Sequence, residues 1–326
     1  MKKLVYILSC LFLLSAGFAA CSCESDDPPE QPSSHQNEEP VDSTDNNSET
    51  PSDNPMVVYL DTELLKSMTP EEMVKRGFRS MGLQGSWTME LFSLRTSQHI
   101  DEGITFTFDE EGTLKVENQL GTDYLLPAGN YSYVDNLDDE TRLTIDGTQY
   151  VSYVKGNTLY IGTIGGYIED KDYNALCYLH RQRTAQNEIP YFFAEELYDP
   201  VWDSHGERIG GGFVDSISVH FRDKEAFYVV NSKQELERIY NGKTPIPDID
   251  FSSYTLLLGF VYLNDSSYHL SDIGLRDSGD QYVLDVSVLH YVHQGAFFGI
   301  TKGYYWRLYP KLDKEVVANK IIHVIE

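Results

Sequence analysis

The chain predicts a mostly β protein: an antiparallel β-barrel followed by a second, β-rich α+β domain. Three observations carry that expectation. Between about residues 82 and 184, short runs of alternating apolar and polar residues recur at regular spacing, as in "ITFTF", "YVSYV" and "LCYLH". Tight-turn sequences separate them, among them Asp109-Glu110-Glu111-Gly112, Asp146-Gly147 and Gly156-Asn157. Beyond residue 187, longer strand-like runs resume, interrupted by one capped helix.

The first segment, residues 1–20, is a targeting element. Lys2 and Lys3 form a basic start, and Leu4 to Ala20 is an apolar run too short for a comfortable membrane span. The ending "FAAC" resembles a bacterial lipobox, in which small residues precede a cysteine that becomes acylated. Ala19, Ala20 and Cys21 match that pattern, and Phe18 stands where Leu is preferred. The resemblance implies a covalent diacylglycerol and acyl anchor on Cys21, with no other cofactor. Cleavage without lipidation and retention as an anchor are the other outcomes open to such a segment. Cys23 has Cys21 and Ser22 before it, a poorer fit, and the "CSC" spacing suits neither a redox pair nor a metal site. The acidic residues that follow (Glu24, Asp26, Asp27) resemble the export signal of Bacteroidetes-type surface lipoproteins, which implies an outer-membrane or cell-surface location.

Residues 21–55 read as a tether. From Ser22 to Pro55 there are ten acidic residues, six prolines and no Lys or Arg. Such a segment buries too little apolar surface to offset its ordering entropy, so disorder is expected, with a root-mean-square span on the order of 30 Å. Asp42-Ser43-Thr44 resembles a Bacteroidetes O-glycosylation sequence, making Ser43 a candidate acceptor; Asp215-Ser216-Ile217 is a second match.

The barrel domain is placed at 56–186 with a short helix at its start. Thr69 caps that helix, Pro70 occupies its first turn, Glu72 completes a capping box and Gly77 ends it. Eight strands follow: 87–94, 104–108, 113–118, 129–134, 142–145, 149–155, 158–163 and 175–182. "LQGSWTMELFS" then resembles the opening of a lipocalin-like domain, with Gly85 and Trp87 in the Gly-x-Trp signature that closes one barrel end. "ITFTFDEEGTLKV", "GNYSYV", "GNTLYIG" and "YLHRQR" extend the resemblance to bacterial lipocalin-like lipoproteins over about 100 residues. It implies a calycin barrel with a basic residue near the Trp, Arg181 or Arg183.

The second domain, 187–326, has expected strands at 216–221, 226–230, 254–262, 268–276, 281–293, 304–309 and 320–325. Ser232 caps a helix carrying Glu235, Leu236 and Ile239. The order of helix, "DFSSYTLLLGF", a long hairpin and "YYWRLYPKL" faintly resembles the C-terminal domain of protease-associated lipoproteins, which implies a partner-binding module.

Chemistry-bearing motifs are sparse. A net charge of −26, from 25 basic and 51 acidic residues, argues against nucleic acid and against electrostatic docking on anionic lipid. His290 and His293, three apart on a strand, point to opposite faces, so they read as structural rather than as zinc ligands. His220 and His269 are isolated. Asp138/Asp139, Asp248/Asp250 and Asp277/Asp280 sit in turn-like sequence, where Asp bonds its own backbone. Gly210-Gly211-Gly212 lacks the context of a dinucleotide loop and reads as a turn. Cys177 reads as a small buried hydrophobe. The aromatic residues Phe297, Phe298, Tyr304, Tyr305, Trp306 and Tyr309 divide between two strand faces; one set is core, and the other is core or an exposed platform for glycan or protein. These observations point to a membrane-anchored, non-catalytic binding module for a small ligand, glycan or protein. A structural subunit of an envelope assembly is the alternative, and a hydrolase with acidic residues is the weaker third.

Overall fold

The computed structural model describes residues 59–94, 97–100, 103–119, 125–136, 142–163, 176–197, 201–202, 208–209, 211–213, 226–265, 267–292 and 298–325. All of them lie in one compact unit, Pro55–Glu326. The structure is mostly β, with a closed eight-stranded antiparallel barrel and further β-sheets.

Two helices precede the barrel. The sequence did not suggest α1 (Leu60–Ser67), which has no side-chain N-cap. The structure bears out α2 (Pro70–Lys75): the Thr69 hydroxyl accepts the Glu72 N–H at 3.2 Å. Gly77 ends it with φ +82, and the Gly77 and Phe78 N–H groups return to the Val74 and Met73 carbonyls. That double closure is the Schellman arrangement, which needs a residue free to be left-handed.

The barrel runs β1 (Gly85–Leu94), β2 (Ser97–Ile100), β3 (Ile104–Phe108), β4 (Thr113–Asn118), β5 (Gly129–Asp135), β6 (Arg142–Ile145), β7 (Thr148–Lys155), β8 (Thr158–Thr163) and β9 (Leu176–Arg181). Strands β3 to β9 pair in succession, and β9 pairs with β1 to close the ring. The first half of β1 pairs with β3, and its second half with the unanticipated β2. Asp146 (φ 45) and Gly147 (φ 79) both take positive φ in the β6–β7 turn, the type I′ signature expected of Asp-Gly. Alternation sends Trp87, Met89, Phe106, Phe108, Leu114, Leu143, Leu159, Ile161, Cys177 and Leu179 inward, each at most 2% exposed. An eight-stranded barrel is just wide enough for side chains, and here the described inward residues pack as one apolar cluster.

The chain then forms α3 (Glu188–Glu196), the small hairpin β10 (Val201–Trp202) and β11 (Arg208–Ile209), β12 (Ala226–Val230) and α4 (Lys233–Ile239). Strands β13 (Tyr254–Asp265), β14 (Tyr268–Asp277), β15 (Tyr282–Tyr291), β16 (Phe298–Pro310) and β17 (Val316–Ile325) complete it. The expected strand at 216–221 lies outside the described residues. Ser232 caps α4 as anticipated, accepting the Glu235 N–H at 3.2 Å.

Three layers result. Sheet β12-β13-β16 carries α3 and α4 on one face, where Leu256, Leu258, Phe260, Tyr304 and Leu308 pack with Phe192, Phe193 and Leu236. Its other face meets sheet β14-β15-β17 through Leu257, Val261, Tyr305 and Tyr309 against Ile273, Leu275, Val286 and Val288. The β15–β17 pair is parallel. Gly212 lets two segments close on α3: a Cβ there would lie 2.4 Å from Tyr240 and 2.6 Å from the Glu196 carboxylate. That carboxylate accepts the Gly212 N–H at 2.7 Å.

Helix α2, expected to introduce the barrel, packs instead on the C-terminal sheets, and the unanticipated α1 packs there with it. Leu60, Leu64 and Phe78 join the inter-sheet core, and Tyr59 bridges Arg276; the Leu308 N–H donates to the Arg76 carbonyl at 2.9 Å, and the Arg76 Nε donates back to the Leu308 carbonyl at 2.8 Å. The barrel is thus spliced between two parts of one α/β/β unit. The physical reason is local: neither short helix has enough apolar surface to stand alone, and the sheet face covers what it has.

Candidate functional site

The floor of the barrel is closed by one buried cation. Arg181, at the end of β9, is 2% exposed. Its guanidinium stacks over the Trp87 ring at 3.9 Å and donates to the Gln84 carbonyl at 2.5 Å and to the Gly82 carbonyl. The Trp87 indole N–H donates to the Leu83 carbonyl at 2.8 Å. Of the two basic residues expected near Trp87, Arg181 takes the position; Arg183 pairs outside with Glu188 at 2.6 Å. Gly85 (φ +108) lets the chain turn under the guanidinium. Burial pulls the Arg181 pKa down to about 10, still high enough to keep it charged at neutral pH.

Beneath this floor lies a cleft of about 480 Å³. The α2-to-barrel connection supplies Arg79, Ser80 and Met81; the barrel supplies Val154, Gly156 and Arg181; α3 supplies Pro190 and Ala194. The remaining wall is Leu270–Ile273 of β14 and Tyr304–Arg307 of β16. The two strands come together because Gly303 has no side chain: a Cβ would stand 2.9 Å from that of Leu270. The β14–β15 register shifts between Leu270 and Asp272, so Ser271 is a bulged residue turned out of the ladder.

Arg307 forms the back wall at 8% exposure. It donates to Asp272 at 2.5 Å and to the Ile273 carbonyl, and its Nη1 lies 3.5 Å from the Asp61 carboxylate. Burial works against its charge, but Tyr309, Asp272 and Asp61 outweigh that and raise its pKa. Asp61 is itself buried and accepts the Leu275 N–H at 2.6 Å. Desolvation raises its pKa, opposed by Tyr309 and Arg307. Arg79 stands exposed at the rim with no ion pair among the described residues.

A second polar cluster joins the barrel wall to α3. His180 Nε2 and the Tyr191 hydroxyl are 2.8 Å apart, with Glu195 3.6 Å and Glu90 3.9 Å from the ring. Asn157 donates to Glu195 and to the Tyr191 carbonyl, both at 2.8 Å. Burial lowers the His180 pKa, and burial raises those of Glu195 and Tyr191. These partners use one another, so the cluster reads as a structural seam.

The site residues expected from sequence fare unevenly. Cys21, Ser43 and Phe297 lie outside the described residues, as do His220, His293 and Asp138/Asp139. Phe298 opens β16, where its backbone pairs with Asp265. Tyr304, Tyr305 and Tyr309 are not an exposed platform: they are 8%, 7% and 0% exposed. Trp306 is half-buried, stacked on Phe193 at 4.3 Å. The alternation was read correctly, but β16 lies between two cores, so both faces are covered. His290 stacks on Tyr268 at 4.1 Å, and no metal-binding group occurs among the described residues. Asp250 and Asp277 make the turn bonds expected of them, to Ser252 and Gly279.

Sequence reasoning missed Arg79, Ser271, Asp272 and Arg307. One signal was present: Arg307 shares a strand face with Tyr305 and Tyr309, and a cation on an apolar face calls for a buried partner. That partner, Asp61, is 246 residues away, beyond any spacing rule. The arrangement supplies guanidinium groups, exposed hydroxyls, one carboxylate and an apolar wall, which is equipment for binding an anion. No family model matches the chain, and no curated protein matches it.

Proposed function

We propose that this chain is a lipid-anchored protein of the outer membrane or cell surface, held by acyl groups on Cys21, and a non-catalytic binding module. It resembles lipocalin-like lipoproteins in its barrel, yet its ligand seat is the cleft under the barrel floor. One observation carries this reading: the described inward side chains of the barrel pack as one apolar cluster, while a concave, arginine-lined space lies outside it. A second reading, an assembly subunit of an envelope complex, draws on the exposed Ile322, Val324 and Ile325 of edge strand β17.

Thermal melting of the full-length protein against panels of glycans, organic acids and fatty acids tests the first reading. A ligand that raises Tm, and loses that effect in a cleft-filling Ser271→Trp variant, supports it. Stabilisation by a fatty acid that Ser271→Trp leaves intact refutes the cleft as the seat. For the anchor, Cys21→Ala is expected to abolish acyl labelling and release the protein from membranes; retention counts against it.

A further inference from the structure

The cleft presents both signs of charge, and their arrangement narrows the ligand. Resting on the cleft as the ligand seat, we propose that it binds a uronic-acid unit, a single carboxylate flanked by ring hydroxyls. Among its described lining residues are three guanidinium groups, Arg79, Arg181 and Arg307, and one carboxylate, Asp272. Asp61 stands behind Arg307. In a chain of net charge −26 this is a local positive surface, and the two buried arginines act through poorly solvated surroundings. Arg79 stands exposed at the rim with no ion pair among the described residues, and its planar fork suits a carboxylate.

Asp272 decides among anions. Its side chain is 66% exposed and already accepts from Arg307 at 2.5 Å. An ionised carboxylate accepts several hydrogen bonds, so it offers places for donors on the ligand. A phosphate would set two negative charges against it. An amino acid would match its carboxylate to Arg79 and bring its ammonium to Asp272, beside the Arg307 guanidinium that this carboxylate already neutralises. Hydroxyls are neutral donors and acceptors, compatible with Asp272, Arg307 and the exposed Ser80 and Ser271 together. Met81, Val154, Leu270 and Trp306 provide an apolar wall for the C–H face of a sugar ring. The volume, about 480 Å³, falls within the range of small-molecule sites of roughly 300–1,000 Å³.

Titration calorimetry of the full-length protein in detergent tests this, with galacturonate, digalacturonate, galactose, inorganic phosphate and glutamate as probes. Galacturonate is expected to bind, with galactose, phosphate and glutamate each weaker by about tenfold or more. Arg79→Ala should weaken galacturonate by at least about tenfold with Tm unchanged, and Arg79→Lys should recover part of the loss. Tighter digalacturonate points to a polysaccharide as the source, and equal affinity to a single unit. Galactose as tight as galacturonate, phosphate or glutamate tighter, no heat from either uronate, or an unaffected Arg79→Ala overturns the proposal. If the uronates fail, melting in an envelope extract separates the causes. A shift lost in Ser271→Trp leaves the cleft as the seat and sinks only the ligand class; a shift retained in Ser271→Trp, or none at all, sinks both.

Discussion

Removing the barrel-floor cation gives the sharpest test of how the barrel is closed. In Arg181→Ala the Gly82 and Gln84 carbonyls lose charge-assisted bonds, each about 1.5–3 kcal/mol. The Trp87 stack is lost as well, about 0.5–2 kcal/mol. Against this, deleting the charge removes a burial penalty of several kcal/mol, the penalty that pulls its pKa down to about 10. The balance is a net destabilisation of about 3 kcal/mol. Arg181→Met keeps most of the volume but none of the bonds, and is expected to recover less than half of the loss. Arg181→Lys keeps a charge but one donor position, and is expected to cost about 1–2 kcal/mol. Urea unfolding followed by the β-sheet circular dichroism signal reads all three. An Arg181→Ala midpoint within about 1 kcal/mol of wild type, or full rescue by Met, refutes the claim that hydrogen bonding closes the floor.

Three further outcomes follow from the same packing. Gly77→Ala puts a Cβ 2.6 Å from the Trp306 carbonyl at φ +82, and a loss of about 2–3 kcal/mol is expected in denaturant melts. Asp61→Ala leaves the Leu275 N–H without its acceptor and Arg307 with one carboxylate fewer, a loss of about 2–4 kcal/mol; Asp61→Asn should lose less. His180 has a folded pKa lowered below 6.5, so the folded state binds fewer protons and stability falls as pH drops below about 6.5 toward the folded pKa. His180→Gln is expected to flatten that part of the Tm-versus-pH curve. Glu195, with its pKa raised, contributes in the opposite sense above 4.5, so the Tm of the His180→Gln chain should decline as pH rises through that lower window.

The barrel was legible because its signals are local. Eight expected strands appear within about two residues of their bounds, since period-two alternation and turn dipeptides are short-range rules. Trp87 and Gly85 were found through a resemblance, and the structure gives the reason for both: an indole under a guanidinium and a left-handed backbone beside it. The second domain was legible as strands but not as layers. Nothing local says that β17 joins β15 in parallel, or that β16 is covered on both faces, so Tyr304, Tyr305 and Tyr309 were read as a divided set. Helix α3 was missed because Pro190 in its first turn and the three consecutive aromatic residues of "EIPYFFAEE" hide its helical period; Phe192 and Phe193 are buried against the sheet. The cleft was illegible for a different reason. Its parts come from residues near 80, 155, 181, 190, 271 and 306, and only the spliced topology brings them together.

The central claim is that binding belongs to the cleft and that the barrel is a packed support. Amide hydrogen exchange of the full-length protein, with galacturonate and with palmitate in parallel, tests it most directly. The account predicts that galacturonate slows exchange at residues 77–82, 270–273 and 304–307, and that palmitate slows nothing in the barrel. Protection of 104–116 and 159–161 by palmitate, with the cleft segments unmoved by galacturonate, would contradict it.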